Sequence, residues 1–513
     1  MPHPRLWPTL GLLALYAVFY VQFAAALVAF PFDVDQGEGY DAWSAWLIHS
    51  GQLPYSDNEH FPYYSSNYPP LWSWLVSIPM AWSGPGLGPA RFISAASGVL
   101  AAVVVGLAAR RRAGNNLAGF LAGGFFLASP YVFHTTPLAR VNATALLFGL
   151  IGLALFESPT PRRLVLGSLA LLAALFTKQT ELDAAAAAVL FVLVVNRRQG
   201  AAAGALIATV LLTVSTVLTI ATGGAFWLNV VAGNVNPFDL GQLASYLANF
   251  LLLHAIIAMV AVVEMVRALK RREWSPWVFY LPVSAAMALA AGKWGAGESY
   301  FLGALAAACV LAAGPLAGTL ATGSSMFSRA RSVMALRASQ DPLAATRVAH
   351  ARAPEWQSRA MAPGVLGVAL AIQALLMAHG PLSQLVPWLP DRGLQAELLA
   401  IAPTELDRAA GEKIADLIRQ AEGPALVEDP SFAVAAGKEV VGNATHLRNL
   451  HEAGLWDPSA LVADLEARRF GVVVLNAALY PVPVLLAIGR SYYLDSTIDI
   501  RASTYQIFLP GVD

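Results

Sequence analysis

Four carboxylates follow the first apolar run closely: Asp33, Asp35, Glu38 and Asp41, in Phe32-Asp-Val-Asp-Gln-Gly-Glu-Gly-Tyr-Asp41. Carboxylates this close together can take a proton in general-base work or hold a hard cation through oxygen. They can also cap a helix. Asp35 with Glu38 three residues on has the spacing of a capping box for a helix over 36–50, and Tyr40, Trp43 and Trp46 then read as interfacial aromatics. Gly37 and Gly39 flank Glu38, however, and each weakens a first helical turn by about 1 kcal/mol relative to Ala. Glycine beside a carboxylate suits a place where a ligand or another backbone comes close. Capping and chemistry both stay open, and one residue can serve both.

Three cations stand at the ends of other apolar runs: Arg140 in Thr136-Pro-Leu-Ala-Arg-Val-Asn142, Lys178 in Phe176-Thr-Lys-Gln-Thr-Glu181, and Lys293 in Ala291-Gly-Lys-Trp-Gly295. A cation beside hydrocarbon costs a few kcal/mol unless it is paired or wet. An internal pair (Lys178 with Glu181 or Asp183), snorkelling to headgroups, or a bound anion would each meet that cost. Phosphate loops of the GxxxxGK[ST] type, HExxH and CxxC pairs are missing from the sequence, which argues against an ATP-driven pump.

These groups must be positioned by membrane helices. The chain has 513 residues, 57% hydrophobic and 12% charged, where soluble domains carry about 25% charged residues. Its mean hydropathy is +0.57. Acidic and basic residues balance at 32 each, so net charge gives no sign of a nucleic-acid partner. The single cysteine, Cys309, has no partner for a disulfide.

Apolar segments long enough to cross a bilayer, about 20 residues or fewer when tilted, fall near 11–30, 88–109, 115–133, 142–157, 164–177, 183–196, 201–222, 243–267, 276–291, 299–318 and 363–379. The first is too long and too aromatic for a cleaved leader and reads as a retained span. Alternate connections are basic: Arg110 to Arg112, Arg162-Arg163, Arg197-Arg198, Lys270 to Arg272, and the loop 319–362. Basic loops stay cytoplasmic, which puts the N-terminus inside and the first loop, 31–87, outside. The chemistry-bearing residues above then share the outer face. Residues 1–384 form the transmembrane part.

Eleven crossings leave 385–513 outside as a small α/β domain. Ala425-Leu-Val-Glu428 and Gly471-Val-Val-Val-Leu475 read as buried strands, Asp457-Pro458 opens a helix with Leu461 and Leu465 inward, and 493–500 with 504–509 reads as a hairpin.

The order of motifs resembles bacterial GT-C glycosyltransferases, relatives of protein O-mannosyltransferases and lipid A aminoarabinose transferases. The likeness rests on Asp-x-x-Glu-Gly in the first outer loop, then Gly51-Gln-Leu-Pro-Tyr55 and Tyr68-Pro-Pro-Leu71. It continues through Leu138-Ala-Arg-Val141, Phe176-Thr-Lys-Gln-Thr180, Asn234-Val-Asn-Pro-Phe238 and Gly292-Lys-Trp-Gly-Ala-Gly297. The resemblance implies a polytopic α-helical fold of about eleven spans in a bacterial inner membrane. It also implies an inverting transfer of sugar from a polyprenyl-phosphate donor to a glycan, lipid or protein acceptor.

By the same resemblance the base is an acidic residue of the first outer loop, Asp35 or Glu38, and Lys178, Arg140 or Lys293 meets the donor phosphate. Asp33, Asp41, Tyr68, Trp72, Gln179 and Asn236 are the further substrate contacts. No cofactor is required, although Asp33, Asp35 and Glu38 are of a type to hold a divalent cation. Two other readings stand beside this one: a secondary transporter, which usually shows inverted repeats not visible here, and a non-catalytic assembly or receptor protein working through its C-terminal domain.

Overall fold

The computed structural model describes residues 6–234, 236–317, 363–377 and 401–511. The expected cytoplasmic loop 319–362 and the start of the C-terminal domain, 385–400, lie outside the described residues.

Helices occupy all eleven apolar stretches. After α1 (Trp7–Ala29), the first connection carries α2 (Glu38–His49) and α3 (Leu71–Ser83). Then come α4 (Leu87–Ala113), α5 (Asn116–Leu127), the short α6 (Pro130–Thr135), α7 (Asn142–Phe156), α8 (Pro161–Thr177) and α9 (Leu182–Val195). The rest are α10 (Arg197–Ala221), α11 (Ala225–Val230), α12 (Leu240–Arg271), α13 (Pro276–Ala288), α14 (Glu298–Ala317) and α15 (Pro363–Leu376).

Five of these helices, α1, α4, α10, α12 and α14, are long and apolar enough to cross a bilayer, and the chain is a multi-pass membrane protein. By contrast α5, α7 and α13 have 12, 15 and 13 residues. At 1.5 Å per residue each alone falls short of the hydrocarbon thickness of ~30 Å. Among the described residues, five helices are thus full-length candidates for crossing and shorter apolar helices occupy the other stretches.

Small residues let neighbouring helices approach closely, as membrane packing requires. A Cβ on Gly106 of α4 would lie 2.9 Å from the Gly119 carbonyl of α5, and one on Gly123 would lie 2.8 Å from that of Ala102. The connections after α4 and after α12 meet at one end of the helices. There Arg112 donates to the Ser275 hydroxyl at 3.0 Å and meets the Glu264 carboxylate at 3.8 Å.

At the other end sits the α/β domain: α16 (Glu405–Gln420), β1 (Ala425–Val427), α17 (Ser431–Ala435), α18 (Ala444–Glu452), α19 (Ser459–Glu466), β2 (Val472–Leu475), α20 (Val482–Ser491), β3 (Tyr492–Ile500) and β4 (Ser503–Pro510). The sheet order is β1-β2-β4-β3. β1 and β2 are parallel with Leu426 opposite Val473, and β4 is antiparallel to both its neighbours. Both parallel strands are buried throughout, which is why they read as unbroken apolar runs. Leu426, Val473 and Leu475 face one core with Leu447, Leu461 and Ile488. Val427, Val472 and Val474 face another with Ile414, Ile418 and Phe432.

The first connection clamps this domain from both faces. Phe30 and Phe32 enter the second core, with Phe32 stacked on Phe432 at 5.1 Å, while Tyr63 enters the first. Polar bonds fix the fit: Tyr63 donates to Asp464 at 2.7 Å, and the Trp456 indole donates to the Asn58 carbonyl at 2.7 Å.

Candidate active site

The four first-loop carboxylates do four different things. Glu38 opens α2, but Asp35 does not cap it: Gly37 is the N-cap, in the left-handed region at φ 102°. Instead Glu38 turns back, and its Oε2 accepts from the amides of Val34 and Asp35 at 2.9 and 3.2 Å. Arg91 of α4 donates to both its oxygens, at 2.8 Å to Oε1 and 2.7 Å to Oε2, and the Ala139 amide adds a bond at 2.7 Å. Neither side chain of the pair is exposed at all. Burial raises the Glu38 carboxyl, and the Arg91 charge with these bonds more than reverses it, holding it below the usual range. Every lone-pair direction is thus spent inside the protein, and Glu38 does not line the cavity described below. This corrects its assignment as a base.

Asp33 is likewise taken up by the fold. Its Oδ1 accepts from the Gly39 amide at 2.6 Å and its Oδ2 from the Ser431 amide of α17 at 2.9 Å. It ties the first loop to the C-terminal domain and makes no contact with the cavity, against its reading as a substrate contact. Trp72 is also corrected. It is fully buried among Ala42, Ala45, Val76, Ala90 and Val141, because α3 turns this face onto α2 and α4. A divalent cation on Asp33, Asp35 and Glu38 does not fit, since the first and third point their oxygens at protein donors.

Asp35 and Asp41 meet at Arg140. The guanidinium Nη1 lies 3.6 Å from Asp35 Oδ2 and the Nε lies 3.2 Å from Asp41 Oδ2. Nη1 also donates to the Gln36 carbonyl at 2.7 Å, and Nη2 to the Tyr68 hydroxyl at 3.4 Å. Gly37 makes room: a Cβ there would lie 2.0 Å from Arg140 Nη1. Gly39 does the same for the C-terminal domain, where a Cβ would lie 2.8 Å from the Ser431 amide nitrogen. Both glycines therefore answer to close approach by other parts of the protein. The Asp41 side chain is 7% exposed and that of Asp35 36%, which makes Asp35 the carboxylate open to a ligand. Burial pushes the Asp41 carboxyl up to about 7, with Arg140 opposing.

Around them lies a polar cavity of about 390 Å³ at the domain end of the helices. Eight of the expected site residues line it together: Asp35, Asp41, Tyr68, Arg140, Lys178, Gln179, Asn236 and Lys293. The Lys178 ammonium donates to the Asn142 side chain at 2.7 Å and the Ser299 hydroxyl at 3.4 Å, and lies 4.9 Å from the Tyr300 ring centroid. It has no carboxylate within ion-pair distance among the described residues, so the expected Lys178 pair with Glu181 or Asp183 does not form as a direct contact. Gln179 reaches across to the carbonyls of Asn67 and Val230, each at 3.3 Å. Asn236 donates to the Trp294 carbonyl at 2.8 Å, fixing the loop that carries Lys293.

Sequence reasoning missed several lining residues. His134 and Glu298 pair across the cavity at 3.3 Å, and each lay beside a motif already in view. Asn443, Thr445, His446 and Asn449 come from the C-terminal domain, some 150 residues from the nearest site motif. Arg91 carried a signal: a lone cation inside an apolar run demands a buried partner.

No family model and no curated protein sequence matches the chain. Solved structures do. The crystal structure of ArnT from Cupriavidus metallidurans bound to undecaprenyl phosphate superposes with TM-score 0.59 at 17% identity, covering 97% of this chain and 98% of that one. The apo state of the same protein gives TM-score 0.60 at 16% identity, covering 97% of each chain. The apo oligosaccharyltransferase of Archaeoglobus fulgidus gives TM-score 0.54 at 14% identity, covering 98% of this chain and 76% of that one. The chain has the GT-C fold of these membrane proteins.

Proposed function

We propose that the protein is a membrane glycosyltransferase that moves a sugar from a polyprenyl-phosphate donor to an acceptor hydroxyl, with inversion, on the extracytoplasmic side. The observation that carries this reading is the convergence of Arg140, Lys178 and Lys293 with Asp35 and Asp41 on one polar cavity at the ends of membrane helices. The similar ArnT structure holds undecaprenyl phosphate, a ligand of the expected chemistry. Nucleotide sugars are cytoplasmic, so a transferase on the outer face needs a donor delivered through the membrane.

Each residue then has a task. Asp35 accepts the proton of the attacking hydroxyl, with the Arg140 guanidinium 3.6 Å away; such a base contributes about 10²–10⁴ in rate. The acceptor oxygen forms its bond to the anomeric carbon as the bond to the phosphate oxygen breaks. The electron pair leaves on polyprenyl phosphate, whose growing charge Lys178 and Lys293 offset. Asp41, 3.2 Å from the Arg140 Nε, fixes the guanidinium. Tyr68, Gln179 and Asn236 contact the substrates. Neither a cofactor nor a metal enters this scheme. The bacterial inner membrane, with the N-terminus cytoplasmic, is the location that the loop charges support. Release of free polyprenyl phosphate by the reconstituted protein, and its loss on Asp35→Asn, tests the reading.

A further inference from the structure

Both parts of the chain line the cavity: its cations and carboxylates come from the helical part, and Thr445, His446 and Asn449 come from α18 of the C-terminal domain. Within α18 the helix is pinned in place. Arg448 lies over the Trp294 ring at 4.6 Å, and Gly233 is so close that a Cβ there would meet Leu450 at 2.6 Å and His446 at 3.0 Å.

His446 shows what this helix offers. Asn229 donates through its amide nitrogen to the carbonyls of Ser56 and Ala225, both at 2.8 Å, so its Oδ1 is the acceptor that faces Asn58 and His446. His446 Nε2, 2.7 Å from that oxygen, must therefore carry the proton. In a neutral imidazole the other nitrogen is then an acceptor, and burial lowers the His446 pKa to about 4, which keeps the ring neutral. That nitrogen, Nδ1, has no hydrogen-bond partner in the protein, and His446 is 1% exposed. Asn449, 7% exposed, leaves its Oδ1 in the same condition, as do Thr445 with its hydroxyl and Asn236 with its Oδ1. All four residues line the one cavity. A buried acceptor without a partner is costly to leave unmet, and four around one cavity call for a ligand rich in donors.

We propose that α18 and Asn236 form a subsite for a sugar ring, whose hydroxyls donate to His446 Nδ1, Asn449, Thr445 and Asn236 while its anomeric region faces Asp35. This rests on the transferase reading and adds what that reading lacks: a role for the C-terminal domain inside the reaction chamber. The ring belongs either to the lipid-linked donor or to a glycan acceptor, and the chemistry of recognition is the same for both.

The test uses Asn449→Leu and Thr445→Val in the full-length protein. Neither unpartnered oxygen is used internally, so both variants should unfold at or above the wild-type temperature. Binding of bare undecaprenyl phosphate and of undecaprenyl-phosphate hexose is measured, together with the KM for a membrane-extract glycan acceptor. A donor subsite predicts unchanged affinity for the bare carrier and about tenfold weaker binding of the glycosylated one, since each 1.4 kcal/mol is tenfold. An acceptor subsite predicts unchanged binding of both lipids and about a tenfold rise in acceptor KM. If glycosylated carrier and acceptor are both handled as by wild type, the subsite is refuted and the transferase reading stands. Wild type that binds no bare carrier would overturn the transferase reading itself, and the subsite with it.

Discussion

Arg91 and Glu38 face each other through two hydrogen bonds of 2.7 and 2.8 Å, with both side chains wholly out of solvent. Arg91 also donates to the carbonyls of Leu27, Phe30 and Phe32, at 2.7, 2.6 and 2.8 Å. One ion pair thus pins the start of α4, the end of α1 and the turn that carries Asp35. Its work is to set the position of the first connection.

Breaking such a pair from one side leaves an uncompensated buried charge, at a cost of about 3–5 kcal/mol. Glu38→Gln should therefore lower the thermal unfolding midpoint in detergent clearly, and Glu38→Leu with Arg91→Met should recover part of the loss. If Glu38→Gln leaves the midpoint unchanged, the pair does not have this structural role.

Lys178 has only neutral hydrogen-bond partners around its ammonium, which leaves its charge available to a phosphate. Lys178→Met should reduce turnover about 10²–10³-fold, the usual effect of deleting one charge-stabilising donor, with little change in stability. Full activity in that variant would move the phosphate to Lys293 or Arg140.

Gly37→Ala should act on the site through Arg140. At φ 102° a Cβ would sit 2.0 Å from the guanidinium, and a shift near 1 Å at a catalytic group can cost about 10² in rate. Gly51→Ala is the control, because φ there is 80° with nothing within 4 Å. It carries similar backbone strain and should keep its turnover. Equal losses in both variants would show that strain alone is responsible.

The seam between the first loop and the C-terminal domain should weaken as pH rises. Asp429 is pushed up to about 8 by burial and then by the Asp33 charge, and Asp33 to about 6 by burial and then by Glu38. Glu428 adds a further like charge beside Asp429, while Tyr505 and Asn476 donate to it. Both folded pKa values lie above the unfolded value of about 3.9. The folded state therefore binds more protons between about pH 4 and 8, and stability falls across that window as pH increases. Unfolding midpoints at pH 5, 6.5 and 8 should show this slope, and Asp429→Asn should flatten it. A slope of the opposite sign would rule the seam out as its source.

Much of this was legible in the sequence because membrane helices announce themselves by composition, and because cations at their ends are costly enough to need a reason. Lys178, Arg140 and Lys293 stood out on that ground, and the buried strands at Ala425 and Val472 stood out as short unbroken apolar runs. Glu38 was misread because a carboxylate between glycines looks the same whether it meets a ligand or a buried arginine 53 residues on. Gly37 and Gly39 gave the right signal, close approach, but the approaching groups were Arg140 and α17. His446 and Asn449 were invisible, since a fold alone brings a distant α/β domain over the helix ends. The breaks inside apolar runs were also hidden, because apolar length in sequence does not reveal where α5 ends and α6 begins.

On the proposed transferase reading Asp35, and not Glu38, takes the acceptor proton. Release of free polyprenyl phosphate would be followed by mass spectrometry in proteoliposomes supplied with polyprenyl-phosphate sugars and membrane-extract acceptors. Rates would be expressed per folded protein for wild type, Asp35→Asn and Glu38→Gln. Asp35→Asn should lose about 10²-fold or more in rate while unfolding at the wild-type temperature, and folded Glu38→Gln should lose less, through the position of Asp35 and not through proton transfer. Donor consumption that survives Asp35→Asn undiminished, or that vanishes in folded Glu38→Gln alone, would contradict this assignment.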